Sequence, residues 1–248
     1  MTHYKDIFFD LDRTLWDFEK NSEAALQIIY DTNNLHQYAP SFEEFMATYR
    51  KINKSFWEAY GKGEIDKIEL RNGRFLKTMQ AFEIGGSSLS AGRACRQAGR
   101  RGIGKEMGDQ YIKLSPYQTN LFPNTKEVLT ELKALDFNLH IITNGFKEVQ
   151  FIKLENSGIQ HFFNDILCSE EVGEKKPHPK VFQSALQRTK ATASSSIMIG
   201  DDFTADVIGA EKTGIRGVLF DPENRFKGQS DVDRITDLEE IKPLVLGF

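Results

Sequence analysis

The sequence predicts an α/β protein with a doubly wound, mainly parallel, Rossmann-like sheet and a helical cap domain inserted after the first strand. Two observations predict this fold. Short apolar runs alternate with amphipathic helical patterns over most of the chain, whereas residues 16–116 carry helical patterns without a convincing strand. Strands of a parallel sheet are covered on both faces, so they read as short continuous apolar runs.

The first predicted strand, Ile7-Phe8-Phe9, ends at "DLDRT", and the predicted cap follows it. We expect a core domain of residues 1–15 and 117–248 and a cap of residues 16–116. Aromatic residues recur in the cap at helical spacing, which favours packing between helices over stacking on a substrate. They are Phe42, Phe45, Tyr49, Phe56 and Tyr60.

Residues 83–108 differ in composition from the rest of the cap, because they are rich in Gly, Arg, Ser and Ala and poor in large apolar side chains. Such a segment buries too little surface to offset its chain entropy, so we expect a mobile loop. Two alternatives stay open: the arginines could form a local phosphate-binding patch, or the recorded sequence could be locally in error.

Four more predicted strands follow the cap, at 137–145, 163–170, 195–202 and 215–222. Amphipathic patterns next to them predict helices at 125–135, 147–157, 179–189 and 204–213. Gly158 and Gly214 directly follow two of these patterns, and glycine is common where helices end. Strand and helix therefore alternate from residue 125 onwards.

Composition narrows the class of protein. The 248 residues are 40% hydrophobic and 27% charged with a net charge of −4, so no basic field favours nucleic acid or anionic lipid. Cys95 and Cys168 are too few for a disulfide framework, and no apolar run approaches the ~18 residues of a membrane span. The first residues lack the pattern of a signal peptide. We expect a cytoplasmic protein; the sequence does not indicate its oligomeric state.

Polar residues end the predicted strands. They are Asp10 and Asp12 after the first, Thr143 and Asn144 after the second, and Asp201 and Asp202 after the fourth, with Asp206 one turn later. Ligands of open parallel sheets bind beyond the carboxyl ends of the strands, so these side chains should share one crevice. "GEKKPHP" after the third strand can bring Lys175 or Lys176 to the same place.

The residue types in this crevice indicate phosphoryl transfer. Converging carboxylates repel each other unless a cation lies among them, and Mg²⁺ prefers oxygen ligands beside a phosphate. The Thr143 hydroxyl and the N–H groups of Asn144 and Gly145, at the start of a helix, suit phosphate oxygens. A carboxylate nucleophile, a cation, a lysine and these donors together favour an aspartyl-phosphate intermediate.

The motifs "DLDRT", "ITN", "KKP" and "GDDFTAD" resemble, in order and at the usual spacing, the four motifs of the haloacid dehalogenase superfamily. Each motif is weak alone, but four of them at strand ends are specific. "FFDLDRTLWDFEKNS" is similar to the subgroup whose helical cap follows the first motif. That subgroup includes pyrimidine-type 5′-nucleotidases, which act on nucleoside monophosphates.

The resemblance implies a role for each matching residue. Asp10 would be the nucleophile and a Mg²⁺ ligand. Asp12 would protonate the leaving group and then deprotonate water, with its backbone carbonyl on the metal. Thr143 would hold the phosphate, and Lys176, directly before Pro177 as the motif requires, would neutralise it.

The fourth motif supplies the remaining roles. Asp201 would bind the metal, and Asp206 would bind the metal or orient a water or the lysine. Asp202 would be a loop residue or an outer partner. Arg13 departs from the family pattern, which often has glycine there, and we expect its side chain to turn outward. Asp17 is expected to cap a helix.

The resemblance implies a Mg²⁺-dependent phosphomonoester hydrolase that acts on nucleoside monophosphates or similar small metabolites. A phosphomutase is an alternative, because the same intermediate can pass to a second hydroxyl. A metal-free 2-haloacid dehalogenase is another, although Asp12 and Asp201 count against it. A catalytically silent binding module is a third, although every candidate catalytic residue is present.

Overall fold

The computed structural model describes residues 4–82, 93–226 and 233–247, without the side chains of residues 93–101. The chain divides into two compact units. One comprises Met1–Glu19 and Thr119–Phe248, and the other comprises Lys20–Gln118. We call them the sheet unit and the helical unit and describe each by itself.

The sheet unit is built on parallel strands. Within the described ranges they are β1 (Asp6–Phe9), β2 (Asn138–Thr143), β3 (Asp165–Cys168), β4 (Ser196–Gly200), β5 (Arg216–Phe220) and β6 (Arg234–Ile235). Their order is β3-β2-β1-β4-β5-β6, and every neighbouring pair is parallel. The predicted parallel sheet is confirmed, and each predicted strand coincides with one of these. Only the two-residue β6 was not predicted, because it is too short to show a period.

Helices fill the intervals between the strands. In chain order they are α1 (Phe18–Thr32), α2 (Phe42–Gly61), α3 (Lys67–Ala81), α4 (Arg93–Leu114), α5 (Thr125–Ala134), α6 (Lys147–Asn156), α7 (Pro179–Thr189), α8 (Gly209–Glu211) and α9 (Ile241–Leu246). A π-helical turn, Phe203–Ile208, leads into α8. The helices predicted at 125–135, 147–157 and 179–189 match α5, α6 and α7 to within a residue. The helix predicted at 204–213 is this π-helical turn followed by α8.

Both faces of the sheet are buried, as a doubly wound sheet requires. On one face, Ile7 and Phe9 of β1 join the side chains of α5 and α9 in a single apolar cluster. On the other face, Phe8 packs in a second cluster with Val181 and Phe182 of α7. Since the strand interiors are apolar on both sides, polar side chains are concentrated where the strands end.

The helical unit is an inserted set of helices between β1 and β2 in the sequence. Its interior contains the predicted aromatic residues Phe45 and Tyr49, which pack with Phe75 of α3 and Tyr111 of α4. Ser41 caps α2 by accepting a hydrogen bond from the Glu44 N–H at 3.2 Å. These aromatic residues therefore serve packing, as their helical spacing predicts. No helix in the described parts of the chain combines the length and apolarity needed to cross a bilayer.

The structure corrects the loop expected at 83–108, because residues 93–108 belong to α4. Its glycines allow close helix packing: a Cβ added to Gly104 would lie 2.8 Å from the Leu76 Cβ, and one on Gly108 would lie 2.7 Å from the Asn72 Oδ1. Met107 adds a buried apolar side chain on the same helix. The composition that indicated a loop thus reflects contact with α3. Residues 83–92 lie outside the described residues.

Candidate active site

Lys176 lies at the centre of the polar residues that end the strands. Its Nζ donates hydrogen bonds to Asp10 Oδ1 at 2.7 Å, to Asp206 Oδ1 at 2.6 Å and to the Ile142 carbonyl at 2.7 Å. The side chain is 2% exposed, so these bonds are shielded from solvent. Of the two lysines considered from the sequence, Lys176 rather than Lys175 lies in this position.

Asn144 holds the segment that carries the lysine. Its side-chain oxygen accepts a hydrogen bond from the Lys176 N–H at 2.9 Å, and its Nδ2 donates to the Lys176 carbonyl at 3.1 Å. This pair of bonds links the end of β2 to the loop before α7. The side chain of Asn144 thus has a positioning role that the sequence did not predict, whereas phosphate binding by its N–H stays a prediction.

An acidic cluster lies beside the lysine. Asp10, Asp201 and Asp206 each offer a carboxylate oxygen, and these oxygens lie within 4.8 Å of one another. Gly200 makes room for the cluster, because a Cβ there would lie 2.2 Å from Asp206 Oδ2. The structure therefore brings together the predicted ligands Asp10 and Asp201 and also Asp206, which was expected to bind the metal or to orient a water or the lysine. The Asp12 carboxylate is not in this cluster.

Burial and mutual repulsion disfavour the charged form of the carboxylates in this cluster. Burial raises the pKa of Asp10 to about 7, although Lys176 opposes this shift. Burial, followed by the charges of Asp10 and Asp206, raises the pKa of Asp201 well above its ordinary value. Burial also raises the pKa of Asp206, again against Lys176. The lysine carries one positive charge against three carboxylates, so a hard divalent cation with oxygen ligands fits this set.

The Asp12 carboxylate is bonded to α6. Lys153 Nζ donates to Asp12 Oδ1 at 2.6 Å, and Gln150 Nε2 donates to Asp12 Oδ2 at 2.9 Å. Gln150 and Lys153 are 0% and 5% exposed, and sequence reasoning missed both. The available signal was their place in the predicted helix 147–157, where two polar residues fall three apart on the same face as Leu154.

Thr143 has its acceptor sites occupied. Its Oγ1 accepts hydrogen bonds from the Gly145 N–H at 3.0 Å and from Gln150 Nε2 at 2.7 Å. A hydroxyl oxygen has two lone pairs, so its own proton stays available for donation. Gly145 is required next to this contact, because a Cβ there would lie 2.1 Å from Gln150 Nε2.

Asp202 and Arg13 lie at the edge of the site. Asp202 Oδ1 caps the π-helical turn by accepting from the N–H groups of Thr204 and Ala205 at 2.9 and 2.8 Å. This is the loop role expected of it. Arg13 adopts a left-handed conformation with φ of 67°, and its Nη2 bonds to Glu19 Oε1 at 2.8 Å.

The Arg13 guanidinium also lies 4.2 Å from the ring centroid of Phe18, at the start of α1. Burial opposes its charge, but the carboxylates of Glu19 and Asp201 raise its pKa. Arg13 is therefore held by Phe18 and Glu19, which belong to the same unit. Asp17 immediately precedes that helix and is buried.

Known proteins resemble this chain over most of its length. The family model described as haloacid dehalogenase-like hydrolase matches residues 7–220. The pyrimidine 5′-nucleotidase YjjG of Escherichia coli is 26% identical over 242 residues, which cover 96% of each chain. The ribulose-1,5-bisphosphate 5-phosphatase of Halopiger xanaduensis is 28% identical over 228 residues, covering 92% of this chain and 89% of that protein.

A solved structure shows the same fold. The magnesium-bound HAD-hydrolase YfnB of Bacillus subtilis superposes with a TM-score of 0.82 at 25% identity, covering 98% of this chain and 99% of that one. The family model spans the sheet from β1 to β5 and includes all four motifs. The predicted superfamily and the prediction of an enzyme are confirmed: this chain belongs to the haloacid dehalogenase-like hydrolase family.

Proposed function

We propose that this chain is a Mg²⁺-dependent phosphomonoester hydrolase that works through a phosphoryl group carried on Asp10. The observation that carries the proposal is the hydrogen bond from the buried Lys176 to Asp10, next to the carboxylates of Asp201 and Asp206. A buried nucleophilic carboxylate beside a fixed cation suits attack on a phosphate, whose negative charge the same cation offsets.

Asp10 begins the reaction. Lys176 binds its Oδ1, so Oδ2 is the oxygen that bonds to phosphorus. As this bond forms, the bond from phosphorus to the ester oxygen breaks, and the leaving oxygen takes a proton from Asp12. In the second step Asp12 takes a proton from water, the water oxygen bonds to phosphorus, and the bond to Asp10 breaks. Inorganic phosphate results, Asp10 is again a carboxylate and Asp12 again carries its proton.

The remaining donors hold the phosphoryl oxygens. The free proton of the Thr143 hydroxyl is available to one of them, since both its lone pairs are occupied. The N–H groups of Asn144 and Gly145 lie just before α6 and complete a set of donors near a helix N-terminus. Lys176 supplies positive charge.

The carboxylates of Asp10 and Asp201, together with that of Asp206, would hold the metal; the resemblance adds the backbone carbonyl of Asp12. When bound, Mg²⁺ supplies positive charge that offsets both the carboxylates and the transferring phosphoryl group. The magnesium-bound structure of YfnB supports this part of the proposal.

The proposed substrates are nucleoside monophosphates or similar small phosphorylated metabolites. One relative is a pyrimidine 5′-nucleotidase and another is a sugar bisphosphate phosphatase, at comparable identity. The shared chemistry of the two is hydrolysis of a phosphate monoester, and this is the part of the proposal that both relatives support.

Phosphate release from a panel of nucleoside and sugar monophosphates, with Mg²⁺ or with EDTA, tests this function. We expect release that requires Mg²⁺ and is lost in Asp10→Asn. Asp136→Asn is the matched control, because it removes a carboxylate from an exposed residue of the same unit. Full activity in Asp10→Asn would contradict the mechanism. Halide release from 2-haloacids without metal would indicate a dehalogenase, and phosphoryl transfer to a second hydroxyl would indicate a mutase.

A further inference from the structure

We propose that Lys153 and Gln150 of α6 act as positioning residues that fix the Asp12 carboxylate in the orientation from which it transfers protons. We call this pair the α6 clamp. The inference rests on the proposed hydrolase function, because it concerns the residue that protonates the leaving group. It assigns a catalytic consequence to two side chains outside the four motifs.

Each oxygen of the Asp12 carboxylate has its own donor. Lys153 Nζ lies 2.6 Å from Oδ1, and Gln150 Nε2 lies 2.9 Å from Oδ2. Two donors on two oxygens fix the plane of a carboxylate as well as its position. The Asp12 side chain is still 21% exposed, so a substrate oxygen and a water can reach it.

Lys153 is itself held in place by aromatic rings that follow the first motif. Its Nζ lies 4.2 Å from the ring centroid of Trp16 and 6.0 Å from that of Phe18. Cation–π contacts of this kind stabilise an ammonium that has lost its water. The lysine side chain is 7% exposed, and a lysine is seldom buried unless it is paired. The position of the Lys153 ammonium is therefore fixed by the Asp12 carboxylate and by the aromatic rings.

Gln150 links the proton-transfer residue to the phosphate site. The same Nε2 that donates to Asp12 also donates to Thr143 Oγ1 at 2.7 Å. Its Oε1 is buried without a hydrogen-bond partner, and the reversed amide would place that oxygen against the Asp12 carboxylate. The amide orientation is therefore set by the Asp12 carboxylate, and the absence of a side chain at Gly145 leaves room for the amide group.

Positioning of Asp12 affects substrates unequally. During the first step a proton passes from Asp12 to the ester oxygen as its bond to phosphorus breaks, and it is replaced from the attacking water in the second step. An alkyl leaving group such as a nucleoside or sugar needs this proton. A p-nitrophenolate leaves without it. Loss of the clamp should therefore slow the first step much more for alkyl esters than for the aryl ester, whereas the second step, in which Asp12 acts as the base, is the same for both.

The experiment measures the first step by rapid quenching within a single turnover of Lys153→Met at saturating Mg²⁺. It compares release of p-nitrophenolate from p-nitrophenyl phosphate with release of the alcohol from the fastest alkyl monophosphate of the panel. General acid–base catalysis contributes about 10²–10⁴-fold, so we expect mispositioning to lower the first-step rate constant for the alkyl ester by roughly 10–100-fold. For the aryl ester we expect at most about a threefold loss of the first-step rate constant, with substrate affinity little changed for both. Lys153→Arg keeps a donor and should recover part of the alkyl activity.

Two further variants define the outcome. Lys147→Met is the matched control, because it replaces an exposed lysine on the same helix, and it should leave both rates unchanged. Lys153→Met in an Asp12→Asn background should cost no further activity on the alkyl ester. Equal losses of the first-step rate on both esters, or a further loss in the double variant, would overturn the clamp while leaving the hydrolase intact. If the unmodified protein releases no phosphate from either ester, both the proposed hydrolase function and the proposed role of the α6 clamp are contradicted.

Discussion

Asp201→Asn should stabilise the metal-free protein at pH 8, although it removes a proposed metal ligand. The ligand oxygens of Asp10, Asp201 and Asp206 lie within 4.8 Å of one another. Two unit charges at that separation repel by about 3.5 kcal/mol at an effective dielectric constant of about 20. Lys176, partial exposure and protonation each relieve part of this repulsion. We therefore expect a gain of about 1–3 kcal/mol in the free energy of unfolding.

The gain should depend on pH in a definite direction. The pKa of Asp201 is higher in the folded protein than in the unfolded chain. At a pH between these two pKa values, the folded protein keeps a proton that the unfolded chain has lost. Such a group contributes stability at low pH that is lost as pH rises through the folded pKa. The substitution should thus have its full effect at pH 8 and a smaller effect at pH 5.

Urea unfolding in EDTA at pH 5 and pH 8 measures the effect, with Asp136→Asn as the control for net charge. Asp136 is exposed with φ of 64°, a conformation that asparagine also adopts readily. Added Mg²⁺ should stabilise the unmodified protein more than Asp201→Asn. An equal free-energy difference at both pH values, or a loss of stability at pH 8, would refute the reasoning.

Further predictions concern the lysine and the glycines. Lys176→Met leaves Asp10 and Asp206 buried without their cation, so we expect a loss of about 3–5 kcal/mol in metal-free urea unfolding at pH 8; an equal loss at pH 5 would contradict this cause. Gly104→Ala places a Cβ against α3 and should lower stability by about 1–3 kcal/mol, whereas Gly102→Ala meets open space and should not. Comparable thermal melting of both alanine variants would show that close helix packing is not the reason for Gly104.

Residues at strand ends were predictable because a parallel sheet determines where they go. Asp10, Thr143 and Asp201 each follow a strong apolar run, and parallel strands carry their carboxyl ends to one edge. Lys176 lies in the segment between β3 and α7, and the proline that follows it distinguished it from Lys175. Its bonds to Asp10 and Asp206 depend on the Asn144 side chain, which only the structure shows.

The remaining features depend on which helix faces which neighbour. Gln150 and Lys153 reach Asp12 because α6 docks with that face inward, and a single helical pattern does not indicate what lies opposite it. Similarly, the glycines of α4 are compatible in sequence with a flexible segment or with close helix packing. Their contact with α3, which the structure shows, indicates close packing. Local periodicity therefore predicted the elements, whereas the polar contacts between them came from packing.

Detection of a phosphoryl group on Asp10 tests the central claim most directly. The Asp12→Asn variant can expel p-nitrophenolate without a proton but lacks the base that activates water, so the intermediate should accumulate. After incubation with p-nitrophenyl phosphate and Mg²⁺, acid quenching and proteolysis, mass spectrometry should find one phosphoryl group on the peptide that carries Asp10. Asp10→Asn treated in the same way should carry none. Phosphate release without this modification, or a phosphoryl group on another residue, would contradict the proposed nucleophile.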